Sequence, residues 1–319
     1  MDPRREDSSP APAQSVEQLL RRSAAAYAAG NLAAALDVLD LAPPAGTDSI
    51  TVVDQVRLLT QRGKILTGQA FLTGQDLEPA IKLLLDAVQL ARTTASASAI
   101  ADALSELGAA YFYRSLAANR ADYEEAASAF DQALALYKQT SNFCGLALTL
   151  FQIGMVAERR DDQTQALVQY QKAHTIAEQY QCTFALASIE RHLGFHYARI
   201  GDKAAALACL QRSLALYEQI GFVLFRPYMF VSLGEALKAL GSRSAAAEHY
   251  ARADEVARTL GAPRARLAVA IAQAELSEEQ GHRAAARQSY QQAYDLAAAL
   301  GDAAGLARCE AKLRAPGPT

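Results

Sequence analysis

Tryptophan is absent from this 319-residue sequence, and methionine occurs only three times. No apolar run approaches the roughly 18–20 residues that a membrane-spanning helix needs, so we expect no transmembrane segment. The formal net charge is only −3, so no overall basic field attracts nucleic acid or an anionic membrane surface. These absences argue against a membrane protein and against a nucleic-acid-binding protein.

Motifs for catalysis and metal binding are also missing. The glycines are dispersed rather than clustered in a phosphate loop, and neither a GxSxG motif nor a Cys/His nucleophile pattern occurs. His192 and His196 are four residues apart, but no third ligand is in register and no HExxH motif is formed. We therefore expect no enzyme, no cofactor and no metal site.

Four cysteines are scattered without a CxxC pair, namely Cys144, Cys182, Cys209 and Cys309. Their spacing predicts reduced thiols and a cytoplasmic location. Residues 1–14 are charged and rich in proline and serine, without the apolar stretch of a secretory signal. We expect disordered tails at 1–14 and 315–319, and one continuous structural unit at 15–314.

The sequence is dominated by a repeat of forty residues. Three glycine registers follow this step, together with an aromatic-or-leucine register and a register of small residues: Gly154, Gly194, Gly234; Gly201, Gly241, Gly281; Gly221, Gly261, Gly301; Phe130, Tyr170, Leu210, Tyr250, Tyr290; and Ala133, Ala173, Ser213, Ala253, Ala293. A fixed period of this length indicates a stacked array in which each unit packs on its neighbours.

One unit shows the local structure. Apolar residues over 184–200 recur at steps of three and four, which predicts an amphipathic helix. Gly201 suits the left-handed position that ends a helix, and Asp202 suits the N-cap of the next helix, which Gly221 ends. A glycine within a helix costs roughly 1 kcal/mol relative to alanine. We therefore expect Gly154, Gly194 and Gly234 to lie where the two helices of a unit cross most closely.

The order of these residues, as in IERHLGFHYARIGDKAAALACLQRSLALYEQIG, resembles the tetratricopeptide repeat (TPR) family. The resemblance runs from about residue 15 to residue 313, with a period longer than the usual 34. It is similar to long-period arrays such as those of bacterial peptide-responsive regulators. It implies an all-α fold, a right-handed superhelical α-solenoid of about six antiparallel helix pairs with a C-terminal cap helix.

The resemblance also implies a binding groove on the concave face, which the first helix of each pair lines. Residues at i, i+4 and i+8 share a helix face, and this register selects ten candidates: Phe112, Tyr113, Phe151, Met155, Arg159, Arg191, Phe195, Arg199, Tyr228 and Glu235. The large apolar side chains are expected to anchor a partner, and the arginines to clamp a carboxylate.

A second interpretation stays open. Phe195 and Met155 can instead pack against the adjacent helix, and Arg199 can simply pair with Glu235 as a solvated surface pair. The Lys and Asn set of the TPR domains that bind chaperone tails is absent at the matching positions, which argues against that ligand.

The sequence thus predicts a non-catalytic scaffold or adaptor that binds another protein or a peptide. One alternative is a peptide-responsive regulatory sensor similar to bacterial quorum-sensing TPR proteins. Another is a self-assembling scaffold, for example a homodimer through one end of the solenoid.

Overall fold

The computed structural model describes residues 15–44, 50–118, 120 and 122–314. The tails that we expect to be disordered lie outside these residues. Fifteen α-helices form in the described part of the chain: α1 Val16–Ala28, α2 Leu32–Leu39, α3 Val52–Thr73, α4 Glu78–Arg92, α5 Ala97–Ala117, α6 Glu124–Tyr137, α7 Phe143–Arg159, α8 Gln163–Gln179, α9 Thr183–Arg199, α10 Lys203–Gln219, α11 Arg226–Ala239, α12 Arg243–Thr259, α13 Pro263–Glu279, α14 Arg283–Leu300 and α15 Ala303–Arg314.

These helices form an all-α solenoid of antiparallel pairs, as the sequence predicts. The described residues contain seven pairs rather than about six, because the short pair α1/α2 is a complete hairpin. Helix α15 covers the last pair and buries Cys309 against Ala293 and Ala297. No helix of the described residues combines the length and the apolar character that crossing a membrane requires.

The turns within the repeat follow the predicted chemistry. Gly201 has φ +85°, a backbone conformation that glycine adopts without a Cβ clash. The side chain of Asp202 accepts a hydrogen bond from the backbone N–H of Ala205 at 3.0 Å and so caps α10. At the equivalent turns, which follow α7 and α8, Asp161 and Gln181 occupy the left-handed positions instead of glycine.

The mid-helix glycines lie at the helix crossings, as expected. A Cβ atom on Gly154 would stand 2.6 Å from the ring of Tyr170, and one on Gly194 would stand 2.9 Å from Cγ of Leu210. Gly234 faces the ring of Tyr250 more closely still. The forty-residue step therefore repeats one packing solution, in which a large side chain of the second helix fills the space above a glycine of the first.

The solenoid curves until its early and late pairs touch. The backbone N–H of Val223 donates to the carbonyl oxygen of Ala28 at 2.8 Å, and the rings of Tyr27 and Phe222 are 6.1 Å apart between centroids. Farther along, α3 reaches α13, and its Phe71 ring lies 5.5 Å from that of Tyr228 on α11. A Cβ atom on Gly74 would lie 2.5 Å from Leu300. The concave face is consequently enclosed as a lumen rather than open as a groove.

The expectation of four reduced thiols is wrong for two of them. Cys144 and Cys182 form a disulfide with Cα atoms 5.2 Å apart, whereas Cys209 and Cys309 are free. Cys144 is in the first turn of α7 and Cys182 is the N-cap residue of α9, and the stacking of consecutive pairs brings these residues, 38 apart in sequence, next to each other. The inference of a cytoplasmic location depended on reduced thiols, so this disulfide removes its support.

Candidate functional site

The lumen contains two chambers joined by a narrow cavity. We call the larger space, at the C-terminal ends of α3, α5, α7 and α9, the front chamber. It is lined by Phe71, Phe112, Tyr113, Leu116, Met155, Glu158, Arg159, Arg191, His192, Phe195, Phe225, Tyr228, Val231, Glu235, Arg264, Leu267, Ala268, Ile271, Ala272, Glu275, Leu300, Asp302 and Arg308. Its volume is about 640 Å³.

The rear chamber, about 630 Å³, lies at the N-terminal ends of the same helices and includes Arg57, Lys64, Asp102, Cys144 and Cys182 in its wall. Between the two chambers lies the central cavity of about 90 Å³.

Eight of the ten candidate residues line the front chamber, namely Phe112, Tyr113, Met155, Arg159, Arg191, Phe195, Tyr228 and Glu235. Phe151 lines the central cavity instead. Arg199 lines neither space; it is exposed at the end of α9, and its guanidinium approaches Nδ1 of His196 at 3.4 Å. The alternative pairing of Arg199 with Glu235 does not form, because Glu235 binds Lys238 and Tyr250.

Three of the proposed apolar anchors belong to the core. Phe112, Phe151 and Met155 expose only 3%, 4% and 9% of their surface, so the packing interpretation is correct for Met155 and extends to both phenylalanines. Phe195 and Tyr228 are half-buried, and they keep part of their rings open to the front chamber. The apolar surface that a partner can contact is therefore smaller than the sequence predicts.

Arg191 lies at the inner end of the front chamber. It borders both this chamber and the central cavity. Its Cζ lies 5.7 Å from the ring centroid of Phe195 and 5.4 Å from that of Phe225, within the range of cation–π attraction. Its Nε is buried without a hydrogen-bond partner, and it forms no salt bridge to any described carboxylate.

A buried polar cluster holds Arg191 in place. His192 and the Tyr170 hydroxyl both contact Oε2 of Glu158, at 2.9 Å and 2.5 Å. Burial lowers the pKa of His192, so the imidazole is neutral at pH 7. Burial alone would raise the pKa of Glu158, but hydrogen bonds from His192 and Tyr170 outweigh it and lower the pKa to about 2. With Nδ1–H of His192 directed at Glu158, its Nε2 accepts from Nη2 of Arg191 at 3.3 Å.

The carboxylates of the front chamber are engaged by the protein itself. Glu158 is bound as described, and Glu235 pairs with Lys238 at 2.8 Å. Glu275 forms a salt bridge with Arg308, and Asp302 accepts from the backbone N–H of Gly305 at 3.0 Å. Basic and acidic groups are both found along the array, since Glu158 lies on α7 and Arg264 on α13.

The two histidines of α9 differ in burial. His192, not His196, is the buried member, and its neighbours are aromatic and acidic side chains. Across residues 15–44, 50–118, 120 and 122–314, no three His, Cys, Asp or Glu side chains are grouped as metal ligands would be.

Phe71, Phe225 and Arg264 are among the chamber residues that the sequence did not predict. Phe71 comes from α3, Phe225 precedes α11, and Arg264 lies in the first turn of α13. The Phe71 ring is 4.7 Å from that of Tyr113 and 5.5 Å from that of Tyr228, so these aromatics meet across the lumen. The one sequence signal for this is the apolar stretch FVLF at 222–225, because a loop on the surface is normally polar.

No protein-family model matches the sequence, and no curated protein matches it. Solved structures are similar in fold. The "Rap conjugation gene regulator of the plasmid pLS20 in complex with the Phr* peptide" has a TM-score of 0.58 at 12% identity, covering 94% of this chain and 91% of that chain. A "Rap Protein Complexed with Competence and Sporulation Factor" has a TM-score of 0.57 at 14% identity, with coverage of 93% and 96%.

The "APC/C hetero-tetramer Cut9-Hcn1" gives a TM-score of 0.60 at 15% identity, covering 95% of this chain and 49% of that chain. These similarities show that the fold is a TPR-type α-solenoid, which confirms the resemblance seen in the repeats.

Proposed function

We propose that the protein is a non-catalytic scaffold that binds a peptide, or a peptide segment of another protein, in the front chamber. The chamber volume of about 640 Å³ lies within the range of ligand pockets, roughly 300–1,000 Å³. Half-buried aromatic rings and arginines line it, a combination that is typical of binding hot spots.

The proposal rests on a difference between the acidic and the basic groups of the chamber: the protein itself pairs the carboxylates but leaves most of the arginines without a salt bridge. The chamber is lined by four arginines and four carboxylates, so its formal charges balance. Each carboxylate has a hydrogen-bond donor or cation from the protein, whereas Arg159, Arg191 and Arg264 have no salt bridge among the described residues. The Nε atoms of Arg191 and Arg264 are also buried without partners. Unfilled donors of this kind require an acceptor from a ligand or from water.

The similar structures support a peptide as the ligand. Two of them are described as complexes, one with the Phr* peptide and one with the competence and sporulation factor. At this low identity the similarity supports the fold, but it does not assign any residue of their binding sites to this protein. The choice of the front chamber therefore depends on the geometry of this protein alone.

A pool of random octapeptides, passed over the immobilised protein, tests the proposal. Retained peptides are sequenced, synthesised singly and measured by calorimetry against three variants. We expect Arg191→Glu and Phe195→Ala each to weaken binding at least tenfold, which corresponds to about 1.4 kcal/mol. Arg199→Glu is the matched control, since it makes the same charge change on the same helix outside the chamber, and we expect affinity within twofold.

Two outcomes would contradict the proposal. One is that the wild-type protein retains no more peptide than Arg191→Glu does. The other is that all three variants bind as the wild type does, which would place the peptide elsewhere. Far-UV circular dichroism must show that each variant remains folded.

A regulatory sensor is the second candidate, and the closure of the solenoid favours it. The contact between Ala28 and Val223 joins two short surfaces through one backbone hydrogen bond and adjacent apolar side chains. A ligand that binds open and closed forms differently shifts the balance between them. Small-angle scattering with and without a selected octapeptide would detect such a change. An unchanged radius of gyration at saturating peptide would refute the sensor and leave the scaffold intact.

A further inference from the structure

The front chamber ends blindly inside the protein. The central cavity that joins it to the rear chamber has a volume of about 90 Å³, against about 640 Å³ and 630 Å³ on its two sides. Pockets that hold even small ligands usually exceed roughly 300 Å³. The rings of Phe71, Tyr113 and Tyr228 meet at this level, and Phe71 also lies 6.3 Å from Phe225. A polypeptide chain that enters the front chamber therefore cannot continue into the rear chamber.

The depth of each wall residue can be read along the first helices. On α7, Phe151 lines the central cavity, Met155 lines both spaces and Arg159 lines only the front chamber. On α9 the corresponding order is Ser188, Arg191 and Phe195. Arg191 thus lies at the inner end, one helical turn deeper than Phe195, and Arg159 lies nearer the mouth.

Arg191 is therefore a cation in a fixed position, and several of its hydrogen-bond donors have no acceptor among the described residues. A guanidinium carries five N–H groups, and the described residues provide one acceptor, Nε2 of the neutral His192. The flanking rings of Phe195 and Phe225 keep the guanidinium plane between apolar surfaces. Since these rings offer no hydrogen-bond acceptor in their planes, the unused donors must be satisfied from the two spaces that Arg191 borders, and only the front chamber is large enough for a ligand.

We propose that the front chamber binds a peptide end-on, with the C-terminal carboxylate of the peptide on Arg191. This inference rests on the proposed peptide-binding function and specifies the ligand: a free C-terminus rather than an internal segment. A carboxylate and a guanidinium form two parallel hydrogen bonds, and at the closed end of the chamber a C-terminal carboxylate reaches the arginine without the peptide chain having to turn back. An amino terminus is disfavoured, because its positive charge would face that of Arg191.

The rest of the chamber wall selects the peptide residues that precede the C-terminal carboxylate. Phe195 presents apolar surface one turn outward from Arg191 on α9, and Ile271 also lines the front chamber, so the last one or two peptide side chains are apolar. Glu235 and Glu275 line the chamber from α11 and α13, where a basic side chain farther from the C-terminus would meet them. Both already have cationic partners, so this contact adds selectivity rather than most of the affinity.

The test uses octapeptides that the wild-type protein retains, each made in four forms. These are the free acid, the C-terminal amide, a form extended by three glycines at the C-terminus, and a form extended by three glycines at the N-terminus. We expect amidation and C-terminal extension each to weaken binding at least tenfold, because they remove or displace the charge-assisted pair. N-terminal extension should change affinity by less than threefold.

Arg191→Gln and Arg191→Lys connect this preference to the residue. With Arg191→Gln, the free acid should bind only as tightly as the amide, while the affinity of the amide remains within threefold of its wild-type value. Arg191→Lys keeps the charge without the planar fork and should give an intermediate preference. A uniform loss for acid and amide alike would indicate a folding defect, which circular dichroism and the Arg199→Glu control would reveal.

The outcomes separate this inference from the general function. Equal binding of acid, amide and C-terminally extended forms would overturn end-on binding but keep the peptide scaffold. Tolerance of both C-terminal changes, with a loss when an Asp or Glu of the peptide is replaced, would show that an internal carboxylate is the anion. If no octapeptide of any form is retained, the proposed function itself fails.

Discussion

Gly154, Gly194 and Gly234 occupy the same position of the repeat at three helix crossings, so the effect of one substitution can be compared at all three. Replacing any of them with alanine should gain up to about 1 kcal/mol, because glycine is that much worse within a helix. The same change adds a Cβ atom into a filled crossing, and overpacking typically costs about 1–3 kcal/mol. The net sign therefore depends on whether the side chain above the glycine can move.

The three crossings differ in that respect. Above Gly194 lies Leu210, with Cγ at 2.9 Å and Cδ2 at 3.1 Å from the added atom, and a leucine can change its rotamer. Above Gly234 lies the ring of Tyr250, which is fully buried and whose hydroxyl donates to Glu235 at 2.5 Å. A flat ring tied at its far end cannot retreat. We expect Gly194→Ala to be within about 1 kcal/mol of neutral, and Gly234→Ala to destabilise by about 1–2 kcal/mol.

Gly154 should behave like Gly234, since its neighbour is the ring of Tyr170 with its hydroxyl held by Glu158. Urea unfolding followed by far-UV circular dichroism measures the three midpoints. Because a solenoid need not unfold in one step, hydrogen exchange of the affected pair should accompany it. The double variant Gly234→Ala with Tyr250→Leu reproduces the Gly194 setting and should recover part of the loss. If Gly194→Ala destabilises as much as Gly234→Ala, rigid rings do not control these crossings.

Two further predictions concern the disulfide and the buried polar cluster. Reduction, or Cys144→Ser, should lower the free energy of unfolding by up to about 4 kcal/mol for a 38-residue loop, measured by urea titration with and without reductant. If reductant lowered the free energy of unfolding of Cys144→Ser as much as that of the wild type, this prediction would be contradicted. Acidification should also destabilise the fold. In the folded protein the pKa values of His192 and Glu158 lie below their ordinary values of 6.5 and 4.5. The stability that each group contributes is therefore present at a pH above its ordinary pKa and is lost as the pH falls below it. His192→Gln should flatten the thermal-midpoint profile between pH 7 and pH 5, and an unchanged profile would show that His192 does not titrate there.

The repeat could be predicted in detail because each of its contacts is local. Gly201 and Asp202 act within one turn, and Gly194 meets Leu210 within one pair. Spacing along the chain determines such contacts directly. The concave register also succeeded for most positions, since residues four apart stay on one helix face. It failed at Arg199, which is exposed at the end of α9, although Arg159 at the equivalent position of α7 lines the front chamber.

The burial of Phe112, Phe151 and Met155 could not be predicted in this way. Each occupies a position on the concave face that would be open in a shallow groove. Phe112 packs against Tyr123, and Phe151 packs against Tyr170 and His192, so side chains of neighbouring helices cover these positions. The i, i+4, i+8 register describes only which side chains share a face of one helix. Which of them a neighbouring helix covers depends on how the helices cross, and the register does not contain that information.

Closure changes what kind of ligand a solenoid can accept. An open concave face binds a segment from the side, so the ligand can extend beyond both edges of the groove. Here the hydrogen bond from Val223 to Ala28 and the aromatic contact of Phe71 with Tyr228 enclose the face and divide it. Access then runs along the lumen, and its inner end carries an arginine whose donors the protein leaves unfilled. The forty-residue repeat explains why the pairs stack, but selectivity for a chain end arises from residues that do not repeat: Phe71, Arg191 and the apolar loop at 222–225.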